Sequence, residues 1–104
     1  MSIDEVHCYW RPGCGFCSSL RRGLDRLGIV TVDHNIWDSP ADAAIVRSHA
    51  RGNETVPTVI IGEIGLVNPT PHEVAKHLEH VAPHLLPDSY EPEQPGFFSR
   101  LFGN

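Results

Sequence analysis

Between residues 3 and 28 the apolar period changes once, from two to 3.6, and the change falls at Pro12-Gly13-Cys14. Before it, "IDEVHCYW" alternates, with Val6, Cys8 and Trp10 on one face and His7 and Tyr9 on the other. That is a strand pattern. After it, Leu20, Leu24 and Leu27 fall at helical spacing, and Gly28 suits a helix end. A helix over Cys14–Leu27 that packs back on its strand must deliver the chain to another strand. The stretch "IVTVDHNIW" at 29–37 supplies one, β-branched in its first half.

A second unit follows. Ser39-Pro40 joins a capping hydroxyl to a proline at the first helical position, and Gly52 closes that helix. "TVPTVII" at 55–61 reads as a third strand, Gly62-Glu63 turns it into a short fourth, "IGLVN", and "TPHE" at 70–73 is a capping box. The last helix is expected to bury Val74, Ala75, Leu78 and Val81, with His72, His77 and His80 on a solvated face. The order β-α-β-α-β-β-α predicts an α/β domain, a mixed four-stranded sheet with helices on both faces. Prolines crowd the chain from Pro83 to Pro95, which divides it into a domain at 1–85 and a tail at 86–104. The tail ends in an apolar stripe of Phe97, Phe98, Leu101 and Phe102.

Composition narrows the function. A formal charge of -5 argues against nucleic acid as a partner. No apolar run approaches the roughly 20 residues of a membrane span. The start "MSIDEVHCYW" has neither a basic region nor a long apolar stretch, so a cytoplasmic protein without a signal peptide is expected. That compartment keeps thiols reduced, and three cysteines fit no framework of structural disulfides.

Cys14 and Cys17 then carry the chemistry. No Ser, Thr, Asp or Asn stands at the capping position of the first helix; Cys14 does. A helix N-terminus offers unpaired N–H groups and partial positive charge, so a thiolate there would be stabilised and its pKa lowered. Cys17, one turn further in, is within reach as a resolving thiol. A structural zinc site would need four ligands, and there is no second CxxC pair. A redox pair is therefore the preferred reading, and no metal is expected. Cys8, in mid-strand, reads as a core residue. Pro57 cannot donate to a strand ladder, so it marks a strand start, an edge or a special turn, and a cis Val56–Pro57 bond would suit it.

Three motifs together resemble the glutaredoxins, closest to the mycoredoxin branch, over roughly residues 3–82: Cys14-Gly15-Phe16-Cys17 at a strand–helix turn, Thr55-Val56-Pro57-Thr58-Val59, and "LVNPTPHEV" after a hairpin. The resemblance implies a thioredoxin-like fold and a thiol–disulfide oxidoreductase acting on mixed disulfides between proteins and a small thiol. It implies Cys14 as nucleophile, Cys17 as resolving thiol, Pro57 as a cis-proline facing the sulfurs, and Val56 as a backbone partner of substrate. Arg11, Phe16 and Asn68 are further candidate contacts, and Thr70 is a contact or a plain helix cap. Glutathione-using members carry Gly-Gly and then acidic residues where this chain has Leu66-Val67-Asn68-Pro69-Thr70. Mycothiol, or another low-molecular-weight thiol, is accordingly the expected co-substrate, with no cofactor bound and a monomer as the working form.

Two neighbouring readings stay open. CGFS marks monothiol relatives that hold iron–sulfur clusters between protomers, but this chain has CGFC and lacks their Trp-Pro after the cis-proline. An NrdH-type redoxin, reduced by thioredoxin reductase, is the other; no match to its C-terminal segment is present. Gly13 also departs from the tryptophan common in close relatives.

Overall fold

The computed structural model describes residues 3–92. Its elements are β1 (Val6–Trp10), α1 (Gly15–Arg26), β2 (Val32–Asn35), α2 (Pro40–His49), β3 (Thr58–Ile61), β4 (Ile64–Val67) and α3 (Pro71–Val81), with a 3₁₀ turn at Pro83–Leu85. The sheet order is β2-β1-β3-β4. β1 pairs parallel with β2 and antiparallel with β3, and β4 closes an antiparallel hairpin with β3. This is the expected mixed sheet.

Each face of the sheet has its own core. On one, Val6, Cys8, Val59 and Ile61 meet Leu20 and Leu24 of α1 and Val74, Ala75 and Leu78 of α3. On the other, Tyr9 and Ile60 meet Ala43 and Val46 of α2. The alternation along β1 therefore has a direct cause: odd and even residues serve different helices. Burying each of the larger aliphatic side chains contributes about 1.5–3 kcal/mol. α1 and α3 approach so closely that a Cβ on Gly23 would collide with the ring of Pro71. β1 and β2 are also fastened by side chains, since His7 Nδ1 and His34 Nε2 lie 2.9 Å apart and His34 stacks on Tyr9.

Several boundaries differ from expectation, each for a local reason. β2 begins only at Val32. Gly28 leaves α1 at φ +77, and Ile29 drops into the core as a loop residue. β3 begins at Thr58 because Pro57 has no N–H to give the ladder. Val81, expected in the core, is exposed, whereas Ala82, four residues beyond Leu78, is fully buried. His77 is half-buried, with Nε2 shut off from solvent, while His72 and His80 are exposed.

The chain beyond residue 85 stays on the domain as far as Tyr90. Leu86 and Tyr90 pack against the α1–α3 core, and the Tyr90 hydroxyl donates to Glu79 at 2.6 Å. The stripe at Phe97, Phe98, Leu101 and Phe102 lies outside the described residues. Among the described residues, no helix is long and apolar enough to cross a membrane.

Candidate active site

The β1–α1 turn is built from Arg11-Pro12-Gly13. Proline pre-sets its own φ, and Gly13 follows at φ +76, a left-handed conformation natural to glycine. A tryptophan at this position would need a different turn. The turn delivers Cys14 in extended conformation (φ -95, ψ 106) as the N-cap of α1. Its sulfur accepts a hydrogen bond from the Cys17 N–H at 3.2 Å, the role an aspartate or serine oxygen ordinarily plays. The Ser18 N–H donates to the Cys14 carbonyl at 3.2 Å and starts the helix ladder.

The second half of the site comes from the α2–β3 connection. The Val56–Pro57 peptide bond is cis. The Cys14 thiol lies 3.8 Å from the Val56 carbonyl oxygen, so a group bonded to that sulfur would lie against this backbone. Pro57 is fully buried. Its carbonyl accepts the Asn68 N–H at 2.7 Å, which ties the β4–α3 loop to the proline. Asn68 itself is exposed at φ +51, a conformation asparagine tolerates better than most residues. Thr70 caps α3 from its side-chain oxygen, and the Glu73 carboxylate returns to the Thr70 N–H at 2.8 Å. The expected capping box is formed.

The two cysteines differ sharply in exposure to chemistry. Cys14 is at the edge of burial, 9% exposed, and Cys17 is 1% exposed. Burial pushes the Cys17 thiol up to about 11, and its hydrogen bond with Cys14 adds to this, while Arg11 works in the opposite direction. Cys8 is fully enclosed and held higher still, at about 12, mainly by burial, with Asp33 and Cys17 contributing. All three cysteines are free thiols. At neutral pH Cys17 and Cys8 are therefore protonated.

Around the sulfurs, Arg11 is half-buried, donates to the Pro12 carbonyl at 3.3 Å, and lies 5.8 Å from the ring centre of Trp37. Phe16, in the first turn of α1, is 72% exposed. The structure thus brings Cys14, Cys17, Val56, Pro57 and Asn68 into one connected set, with Arg11 beside it and Phe16 turned to solvent. Trp37 is absent from the candidates above: the pattern over 29–37 puts it inside β2, but the strand ends at Asn35 and leaves the indole at the end of the sheet that carries Cys14. The signal was available in "NIWDSP", where a polar turn begins immediately after the tryptophan. Among the described residues, no three His, Cys, Asp or Glu side chains are grouped so as to hold a metal ion.

Comparison with known proteins agrees with this geometry. No curated protein matches the sequence. A solved structure, that of the glutaredoxin-like protein NrdH-redoxin from Escherichia coli, superposes with a TM-score of 0.61 at 23% identity. The match covers 70% of this chain and 93% of that one, and shows a common fold. The glutaredoxin family model matches residues 6–64, more than half of the chain and including Cys14, Cys17 and Pro57. The chain belongs to the glutaredoxin family, and is a thiol–disulfide oxidoreductase on a thioredoxin-like fold.

Proposed function

We propose that this protein reduces mixed disulfides between cellular proteins and a low-molecular-weight thiol through Cys14 and Cys17, with mycothiol favoured over glutathione. In the first step the Cys14 thiolate attacks the sulfur of the small thiol. The old disulfide bond breaks, the substrate protein leaves as a thiolate that takes a proton from solvent, and Cys14 is left bonded to the small thiol. A second small-thiol molecule, as thiolate, then attacks that sulfur and frees Cys14, so the two electrons come from two small thiols that end as their disulfide. Alternatively Cys17 attacks Cys14, releases the small thiol and forms the Cys14–Cys17 disulfide. The hydrogen bond from the Cys17 N–H supports Cys14 as nucleophile. The high pKa of Cys17 supports the first route as the faster.

The choice of thiol rests on one observation. Glutathione users hold the γ-glutamyl ammonium with acidic residues ahead of the last helix. Here that segment is Leu66-Val67-Asn68-Pro69-Thr70, and Glu73, the acidic residue in the first turn of α3, has its carboxylate engaged in the capping box. An ammonium group docked there would meet no acidic pair, only Glu73, whose Oε1 already accepts from the Thr70 N–H, and a site that pairs a charged group poorly loses both affinity and discrimination. Asn68 instead presents an amide to solvent, suited to hydroxyls. The protein acts as a monomer with no bound cofactor, in the cytoplasm, on protein mixed disulfides.

The test is an NADPH-coupled assay of one mixed-disulfide substrate pair with each reducing system. Turnover should be faster with mycothiol and its reductase than with glutathione and its reductase. Equal or faster rates with glutathione would overturn the thiol assignment. Efficient reduction by thioredoxin reductase alone would move the protein to the NrdH-type class.

A further inference from the structure

Trp37 is 64% exposed, yet it is held in place. Its backbone N–H donates to Asn35 Oδ1 at 3.0 Å. The preceding Ile36 N–H donates to the Trp10 carbonyl at 2.9 Å, so the chain is pinned to the end of β1 where the reactive turn begins. The Arg11 guanidinium lies against the indole, 5.8 Å from the ring centre. Arg11 in turn opens the three-residue turn between the end of β1 and the α1 cap Cys14, and its backbone N–H, and after that its charge, lower the Cys17 thiol. Arg11 therefore bridges from the sulfurs to the indole. An exposed aromatic face on an anchored backbone, beside a guanidinium, is a ledge at the end of the sheet that carries Cys14.

We infer that Trp37 and Arg11 form the subsite for the sugar portion of the small thiol once its sulfur is bonded to Cys14; this rests on the mycothiol reading above. The chemistry fits on three counts. A sugar or cyclitol ring presents an apolar face of C–H bonds, which stacks on an indole. Its edge presents hydroxyls, which accept from the guanidinium; Arg11 has five N–H donors, and one is engaged with Pro12. Mycothiol carries no carboxylate, so nothing in it competes to draw Arg11 off the ring into a bidentate pair.

The ledge is tested with two mixed disulfides of one small protein, one formed with mycothiol and one with cysteine, which lacks the sugar. The readout is the ratio of kcat/KM for the first over the second. Trp37→Ala should lower that ratio about tenfold, through KM for the mycothiol substrate rather than through kcat. Trp37→Phe, which keeps an aromatic face, should recover most of it. Trp37 is largely solvent-exposed, so these variants should fold, and an unchanged urea midpoint would check this. An unchanged ratio in Trp37→Ala, with mycothiol still preferred to glutathione, overturns the ledge and leaves the thiol assignment standing. Wild-type protein that shows no preference between mycothiol and glutathione overturns both.

Discussion

In the proposed mechanism Cys17 sets the pace of one of the two routes, and its burial gives the size of the effect. With its thiol at about 11 instead of 9.0, the ionised fraction at pH 7.5 falls roughly a hundredfold, from about 3% to about 0.03%. A more basic thiolate is a better nucleophile, by about 0.4–0.5 log unit per pKa unit, which returns roughly eightfold over two units. The net expectation is resolution about tenfold slower than by an unburied thiol in the same geometry. The rate should also rise about tenfold per pH unit from pH 7 towards 10. Once Cys14 is in a mixed disulfide its hydrogen bond to the Cys17 thiol is lost, but burial, the larger cause, remains, so the midpoint should stay above 9.0. The assay loads Cys14 with 5-thio-2-nitrobenzoate and follows release of the coloured thiolate by stopped flow, with Cys17→Ser as the blank. A rate that levels off by pH 9 would show that Cys17 is not shielded as described, and the preference for the two-thiol route would lose its basis.

The enclosed Cys8 thiol predicts weakness at alkaline pH. Its folded pKa, about 12, lies above the unfolded 9.0, so its contribution is complete below pH 9 and is lost as pH rises towards 12. By pH 10 the loss is roughly 1.4 kcal/mol. Cys17, raised from 9.0 to about 11, adds a loss of similar size by pH 10, so urea unfolding in the presence of reductant should show both between pH 7 and 10, and Cys8→Val should remove about half of the fall; an undiminished fall in Cys8→Val would contradict the burial. Two glycines of the reactive turn should separate by conformation, since neither would meet a neighbour if given a Cβ and only Gly13 has positive φ. Gly13→Ala should destabilise by about 1–2 kcal/mol, whereas Gly15→Ala should be neutral or slightly stabilising, as read from thermal unfolding.

The order of elements was legible because each long stretch keeps a single period, and because hydroxyl caps and glycines stand at the junctions. Ser39, Thr70 and Gly28 all act where they were expected to act. Cys14 as a cap was legible only by exclusion, through the absence of any better capping residue. The misses share a cause: local pattern does not report tertiary register. Val81 and Ala82 both continue a helical stripe, and which one enters the core depends on how α3 is rolled against the sheet. Likewise Ile29 looks like a strand residue and is buried as one would be, but it has no strand partner. Trp37 was missed because alternation continues one step further than the hydrogen-bonded ladder. The cis isomer of the Val56–Pro57 bond had no signature in the local pattern beyond a proline where a strand was expected; only the likeness of Thr55-Val56-Pro57-Thr58-Val59 to the glutaredoxins implied it.

Ile3, just ahead of β1, has its carbonyl against His84 Nε2 at 2.6 Å, and Pro87 packs near Gly28 at the end of α1. Both contacts lie at the pole where β1 and β2 begin, whereas Cys14, Pro57 and Trp37 gather where those strands finish or β3 starts. An added protein, whether a fluorescent reporter or a redox partner, could thus be joined ahead of residue 3 without standing over the thiol. Such a fusion would leave the reactive end facing outward, free to sample the neighbour's disulfides over the length of the linker.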